Sequence, residues 1–229
     1  MLRKLLDNIP VTVTLERVLG RLKIEEEEDV ELISELFETA KKTVKPKALY
    51  KEAFVEEING KNVRINGCDF ESDVLAVNLK DIHRVFAYIC TCGTEVDDWS
   101  HIAGEKDYVV SLWLDMIKEM FLHDARAFLW EHLKSSFKFN KLASVNPGSG
   151  NVDNWHISQQ KNLFDMIGDV KSDIGVTLTE SFLMLPTKSS SGLLYPSEKD
   201  FANCSLCSRE NCVGRRADFD KKLYDSIFK

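Results

Sequence analysis

Nowhere in this 229-residue sequence do apolar residues run to the roughly twenty in succession that a membrane-spanning helix needs. The N-terminus, MLRKLLDNIPVTVTLERVL, opens on positive charge as an export signal does, but Asp7, Pro10 and Glu16 interrupt any apolar core. A cytoplasmic protein with no membrane contact is the expectation. Also missing is any segment rich in both basic and aromatic residues, and the formal net charge is −7. Surfaces that bind nucleic acid by releasing counterions carry such clusters, so nucleic acid is not expected as a partner. There is no internal repeat, long linker or low-complexity tract. With 44% hydrophobic and 29% charged residues, the chain has the balance of an ordered globular protein. One mixed α+β domain over residues 1–229 is the economical reading.

Periodicity places the main elements. Val30, Ile33, Leu36, Phe37 and Ala40 predict an amphipathic helix from about Glu26 to Val44, with glutamates leading and lysines trailing as the helix dipole favours. A hairpin is predicted from Leu49–Ile58 and Val63–Ile65 around Asn59-Gly60-Lys61. Ser72 can cap a short helix through Asn78, and Arg84 to Cys92 reads as a buried strand. Trp113, Ile117, Met120, Phe121, Phe128 and Leu129 predict a central core helix from Tyr108 to Leu133, giving His123 and His132 structural roles. After Asn146 the texture changes to a Gly- and Pro-rich loop, a short helix capped by Ser158, and short strands at Val176–Leu178, Phe182–Leu185 and Gly192–Tyr195. A terminal helix is expected from Asp218.

Six cysteines without an export signal point to a reducing compartment, where clustered thiols serve metals or redox chemistry more often than disulfides. Cys204, Cys207 and Cys212 fall within nine residues of one segment, 200–216, ahead of Arg215 and Arg216. Such a triad can converge on a metal. Zinc would want a fourth ligand, and no second Cys-x-x-Cys pair exists. An iron–sulfur cluster fits with one remote cysteine or an open iron. Cys92, Cys90 and Cys68 are the candidates for that remote ligand, in that order. Cys90 and Cys92 share a face of a regular strand and read equally well as small apolar core residues. Arg215 and Arg216 are placed to neutralise thiolates or to face solvent.

The richest stretch runs from Asn146 to Tyr195, beginning NPGSGNVDNWHISQQKNLF and continuing IGVTLTESFLMLPTKSSSGLLY. It offers a loop whose amides can approach a ligand, then Thr179, Glu180 and Ser181 at the start of a strand, then Lys188 and a run of serines. A carboxylate can hold an ammonium or ribose hydroxyls, while hydroxyls and amides hold oxygens. The order Pro147-Gly148, Gln159-Gln160, Leu178-Thr179-Glu180-Ser181, Leu185-Pro186 and Ser189 to Gly192 resembles the activation domain of cobalamin-dependent methionine synthase. The likeness extends loosely upstream to Cys92-Gly93, Glu95-Val96 and the long helix.

That resemblance implies an α+β fold around an antiparallel sheet, here as a stand-alone version with a C-terminal cysteine motif. It also implies a part in methionine biosynthesis. When a corrinoid's cobalt(I) is oxidised to cobalt(II), an electron and S-adenosylmethionine restore the methylated form, and the domain binds S-adenosylmethionine and caps the corrinoid. The implied partner is a methionine synthase or corrinoid methyltransferase lacking its own activation domain, with a flavodoxin or ferredoxin as electron donor. Glu180, Pro147, Gly148, Ser149 and Ser181 become the implied ligand-binding residues. The family's ligand loop usually reads Arg-x-x-Pro-Gly-Tyr, whereas this chain has Ser144 and Ser149 at the arginine and tyrosine positions. Trp155 and His156 are the nearest candidates for an aromatic wall. Because zinc cannot carry electrons, an iron–sulfur site at Cys204, Cys207, Cys212 and Cys92 would make the chain itself a donor. A metal-stabilised cap without chemistry and a corrinoid-dependent methyltransferase are the alternatives.

Overall fold

The computed structural model describes residues 2–150, 154–198, 201, 203–212, 215 and 217–228. Its strands are β1 (Arg3–Leu6), β2 (Lys47–Asn59), β3 (Asn62–Ile65), β4 (Cys68–Glu71), β5 (Arg84–Thr91), β6 (Leu142–Val145), β7 (Thr177–Leu178), β8 (Met184–Leu185) and β9 (Ser189–Pro196). The helices are α1 (Leu15–Leu22), α2 (Glu27–Thr43), α3 (Asp73–Leu79), α4 (Thr94–Gly104), α5 (Tyr108–Phe137), α6 (Gln160–Ile167), α7 (Val170–Ile174) and α8 (Lys221–Phe228).

Every residue of β5 after Arg84 is buried, because its run VFAYICT is apolar on both faces and both must be covered. It therefore lies inside an antiparallel sheet ordered β4-β3-β2-β5-β9-β6, with β1 beside the first half of β2 and β7–β8 pairing separately. Strand alternation sorts the side chains. Leu49, Ala53, Ala87, Ile89 and Leu193 point to one face, under α3, α6, α7 and α8. Ala48, Tyr50, Phe86, Tyr88, Cys90 and Leu194 point to the other, where Ala125, Leu129 and Leu133 of α5 cover them. The first half of α5 runs past this sheet and packs with α1, α2 and α4 around Ile33, Phe37, Ile117 and Phe121. One long helix thus joins two cores.

Several local expectations hold. Gly60 takes φ +57° in the β2–β3 turn, and Ser72 Oγ accepts from Leu75 N at 3.1 Å to cap α3. A cap not read from the sequence is Asp107, which starts α5 by accepting from Val109 N and Val110 N at 2.8 and 3.2 Å. His132 is structural, 3.2 Å from Tyr50 Oη, and burial with Lys4 nearby lowers its pKa. Other expectations need correcting. Ser158 lies within a 3-10 turn, Ile157–Gln159, that leads into α6, and the terminal helix starts at Lys221. No described helix is long and apolar enough to cross a membrane.

Candidate ligand-binding cleft

The loop after β6 is fixed by its first residue. Asn146 is buried, and its Nδ2 donates to Tyr88 Oη at 2.6 Å and to the Ser191 carbonyl at 2.7 Å. Asn146 can lie this close only because residue 192 is glycine, since a Cβ there would meet Asn146 Nδ2 at 2.5 Å. Gly148 turns the chain with φ +70° and donates its N–H to the Trp155 carbonyl at 2.8 Å. From the cysteine-rich segment, Asn203 Nδ2 donates to the carbonyls of Asn146 and Ser149 at 3.0 and 3.1 Å. Gln160 completes the wiring. It accepts from Ser191 Oγ and donates to the Phe182 carbonyl, both at 2.6 Å, joining α6 to β9 and the β7–β8 turn. Hydrogen-bonded networks of this kind hold a loop in one conformation, as a binding site requires.

Between this loop, the β7–β8 hairpin and α5 lies a cleft of about 430 Å³. Pro147, Gly148 and Ser149 form one side, while Leu183 and Met184 supply apolar surface. Its size falls within the roughly 300–1,000 Å³ usual for small-molecule sites. Two buried polar atoms of its lining residues, Arg126 Nε and Ser190 Oγ, have no hydrogen-bond partner among the described residues. Buried polar atoms are rarely left so, and with its size this makes the cleft a candidate site for a polar ligand.

The family described as vitamin B12 dependent methionine synthase, activation domain, matches residues 75–213, more than half of the sequence. The chain belongs to this family. A crystal structure of the MetH reactivation domain bound to AdoHcy matches with a TM-score of 0.58 at 16% identity, covering 88% of this chain and 81% of that one. At that identity the likeness speaks for the fold, an antiparallel sheet with flanking helices. No curated protein matches the sequence. Within this activation-domain chain, β1 to β4 precede the matched region, which begins inside α3.

The structure brings Pro147, Gly148 and Ser149 together at the cleft but leaves Glu180 and Ser181 outside its lining. Leu-Thr-Glu-Ser does not begin a strand. Its last residues form the turn between β7 and β8, where Thr179 Oγ1 accepts from Leu183 N at 3.1 Å and Phe182 takes φ +62°. Glu180 and Ser181 are exposed at that tip. Trp155 offers no aromatic wall, being 1% exposed and packed edge-on against Phe70 in the core. His156 is exposed and bonds Ser158 Oγ at 2.7 Å. Ser144 is buried on β6, and Lys188 pairs with Asp115 of α5 at 2.8 Å. Sequence reasoning missed Arg126, and the only signal for it was an arginine four residues before Trp130 on a helix.

Cys204 and Cys207 share one turn, in which Cys207 N donates to the Cys204 carbonyl at 3.1 Å. Among the described residues no three His, Cys, Asp or Glu side chains gather as a metal site. Cys92, expected as the remote ligand, packs with α2, α4 and α5, whereas Leu206 of the cysteine-rich segment packs into the core on the opposite face of the sheet. The same alternation that puts Cys90 and Cys92 on one face turns both away from that segment. Cys68 stands half-buried at the start of β4, its thiol raised chiefly by burial. Arg215 donates to the backbone carbonyls of Cys204, Cys207, Arg209 and Ala217, so its charge fastens the segment's main chain. Arg216 lies outside the described residues. Among the described residues these thiols do not gather as an iron–sulfur or zinc site would require.

Burial pushes the thiols of Cys90 and Cys92 up to about 12 from an ordinary 9.0. Two consequences are expected. A maleimide applied to the folded protein modifies exposed Cys212 but neither Cys90 nor Cys92, which react only after unfolding. Above pH 9 the unfolded chain ionises thiols that the fold keeps protonated, so stability declines as pH rises from 9 toward 12. Mass spectrometry of labelled peptides and urea melts across that range check both.

Proposed function

We propose that this chain supports reductive reactivation of a corrinoid cofactor carried by a separate methionine synthase or corrinoid methyltransferase, and that it binds S-adenosylmethionine in the cleft beneath Pro147 and Gly148. The observation that carries the reading is the cleft itself, a loop held by Asn146 and Asn203 facing two partnerless buried polar atoms in a chain of the activation-domain family. Ser149 and the loop amides would meet ligand oxygens, and Leu183 and Met184 the apolar part of the ligand. S-adenosylmethionine supplies the methyl group to the partner's reduced cobalt. An external donor such as a flavodoxin or ferredoxin would supply the electron.

Residues 1–229 would act as one unit in this role. Glu180 would serve at the rim, on the hairpin whose Leu183 and Met184 wall the cleft, as an acceptor for a ribose hydroxyl or ammonium of a ligand extending beyond it. Leu183 and Leu185, both exposed on that hairpin, would present an apolar edge to the corrinoid protein. Calorimetric titration tests the ligand. S-adenosylhomocysteine and S-adenosylmethionine are expected to bind with one-to-one stoichiometry, and a Gly148→Val variant to bind neither, because a side chain there meets Ile157 at 3.1 Å and strains a φ of +70°. Wild-type protein that binds neither nucleoside sinks this assignment.

A further inference from the structure

The geometry points to Arg126 as the residue that holds the carboxylate of the ligand's amino-acid end, so that the charge comes from helix α5 and not from the Pro147-Gly148 loop. This rests on the ligand assignment above and adds the specificity-determining residue to it.

Arg126 sits five residues before Glu131 on the half of α5 that covers the sheet, and it lines both the cleft and a neighbouring hollow shared with Ser144 and Trp130. Its guanidinium carbon lies 5.4 Å from the centre of the Trp130 ring, a cation–π contact that holds the group against α5. Nε is buried and unbonded, and no carboxylate among the described residues pairs with the group. Lys118 and Lys134 of α5 and the nearby Lys188 are already paired with Asp97, Glu131 and Asp115 at 2.6, 2.7 and 2.8 Å. A desolvated guanidinium edge without an anion is unfavourable, and a planar carboxylate is the group its fork fits. Ser190 Oγ, the cleft's second unbonded polar atom, gives a carboxylate oxygen a further donor.

The loop offers no alternative. Between Leu142 and Gly150 it has no arginine or lysine, and Ser144 spends its hydroxyl on Asn146 Oδ1 at 3.4 Å. Its side of the cleft therefore supplies neutral donors only, and the cation must come from across the cleft.

The test compares S-adenosylhomocysteine with 5′-methylthioadenosine, which shares the nucleoside and thioether but lacks the amino-acid end. Wild-type protein, Arg126→Gln and Arg126→Lys are titrated with each, and melting curves confirm that each variant is folded. Arg126→Gln is expected to weaken S-adenosylhomocysteine roughly 30-fold or more while changing methylthioadenosine by no more than about twofold. Arg126→Lys keeps the charge without the fork and should fall between. Equal affinity of wild type and Arg126→Gln for S-adenosylhomocysteine overturns the role of Arg126 and leaves the ligand assignment standing, as does an equal loss for both ligands. Wild-type protein that binds neither ligand overturns both. Should Arg126→Gln not fold, the Arg126→Lys ratio between the two ligands decides: unchanged from wild type, it overturns the proposal.

Discussion

Replacing Gly192 with alanine is expected to lower stability by about 3 kcal/mol and to abolish ligand binding with it. Gly192 lies in β9 opposite Tyr88 of β5, between the buried strand and the loop that forms the cleft. A Cβ at this position would overlap the carbonyl of Val145, meet Asn146 Nδ2 at 2.5 Å and touch Tyr88 Cε1 at 3.1 Å. The first contact is with backbone, and the second is with a side-chain end that is held in place. Val145 O is backbone within β6, and Asn146 is held by Tyr88 and Ser191. Relief therefore requires β6 to move away from β9 or Asn146 to give up its hydrogen bonds, and either releases the Pro147-Gly148 turn. Chemical denaturation and titration of the same variant check the two effects. A stable Gly192→Ala protein with unchanged ligand affinity contradicts the geometry described for the cleft.

Asp97→Ala is expected to cost about 3–5 kcal/mol, while the double variant Asp97→Ala/Lys118→Met recovers most of it. Lys118 is 5% exposed on the face of α5 that meets α4, and its ammonium lies 2.6 Å from Asp97 Oδ1. Removing the carboxylate strands a positive charge between Cys92 and the apolar side chains around Phe121. Removing both charges leaves only apolar surface in a packed helix pair, which is why the pair is expected to behave non-additively. Urea melts of the two single variants and the double variant give the coupling directly. Losses that simply add would show that the two side chains do not depend on each other.

Long, strongly patterned elements were legible in the sequence. α5 and β5 announce themselves by a broad apolar face and by an unbroken apolar run, and Gly60 and Ser72 by turn and cap chemistry. Elements settled by distant partners were not. β6 is only Leu142–Val145, and its identity comes from pairing with β9 some fifty residues later. β1 similarly gains its structure from β2, and α4 carries only two buried residues, Val96 and Ser100.

The candidate site divides in the same way. Pro147, Gly148 and Ser149 read as a loop because the chemistry of a Gly-Pro loop is local. The stretch around Glu180 reads as a strand because VTLTESFLML alternates, and only the Thr179 hydroxyl accepting from Leu183 N and the positive φ of Phe182 reveal a turn. Cysteine spacing suggested convergence, but whether thiols converge depends on the path of the segment and on which face of the sheet each strand residue occupies. Arg126 was invisible because helical periodicity says nothing of whether a flanking arginine meets solvent or a cleft.

The most direct test of the account is a reactivation assay in trans. A methionine synthase lacking its activation domain is loaded with cobalt(II) corrinoid, supplied with S-adenosylmethionine and a reduced flavodoxin, and followed by its visible spectrum with and without this chain. The account predicts that the methylated corrinoid spectrum returns only when the chain and S-adenosylmethionine are both present. Recovery at the same rate without the chain, or no recovery with a cognate corrinoid methyltransferase and the chain together, would contradict it.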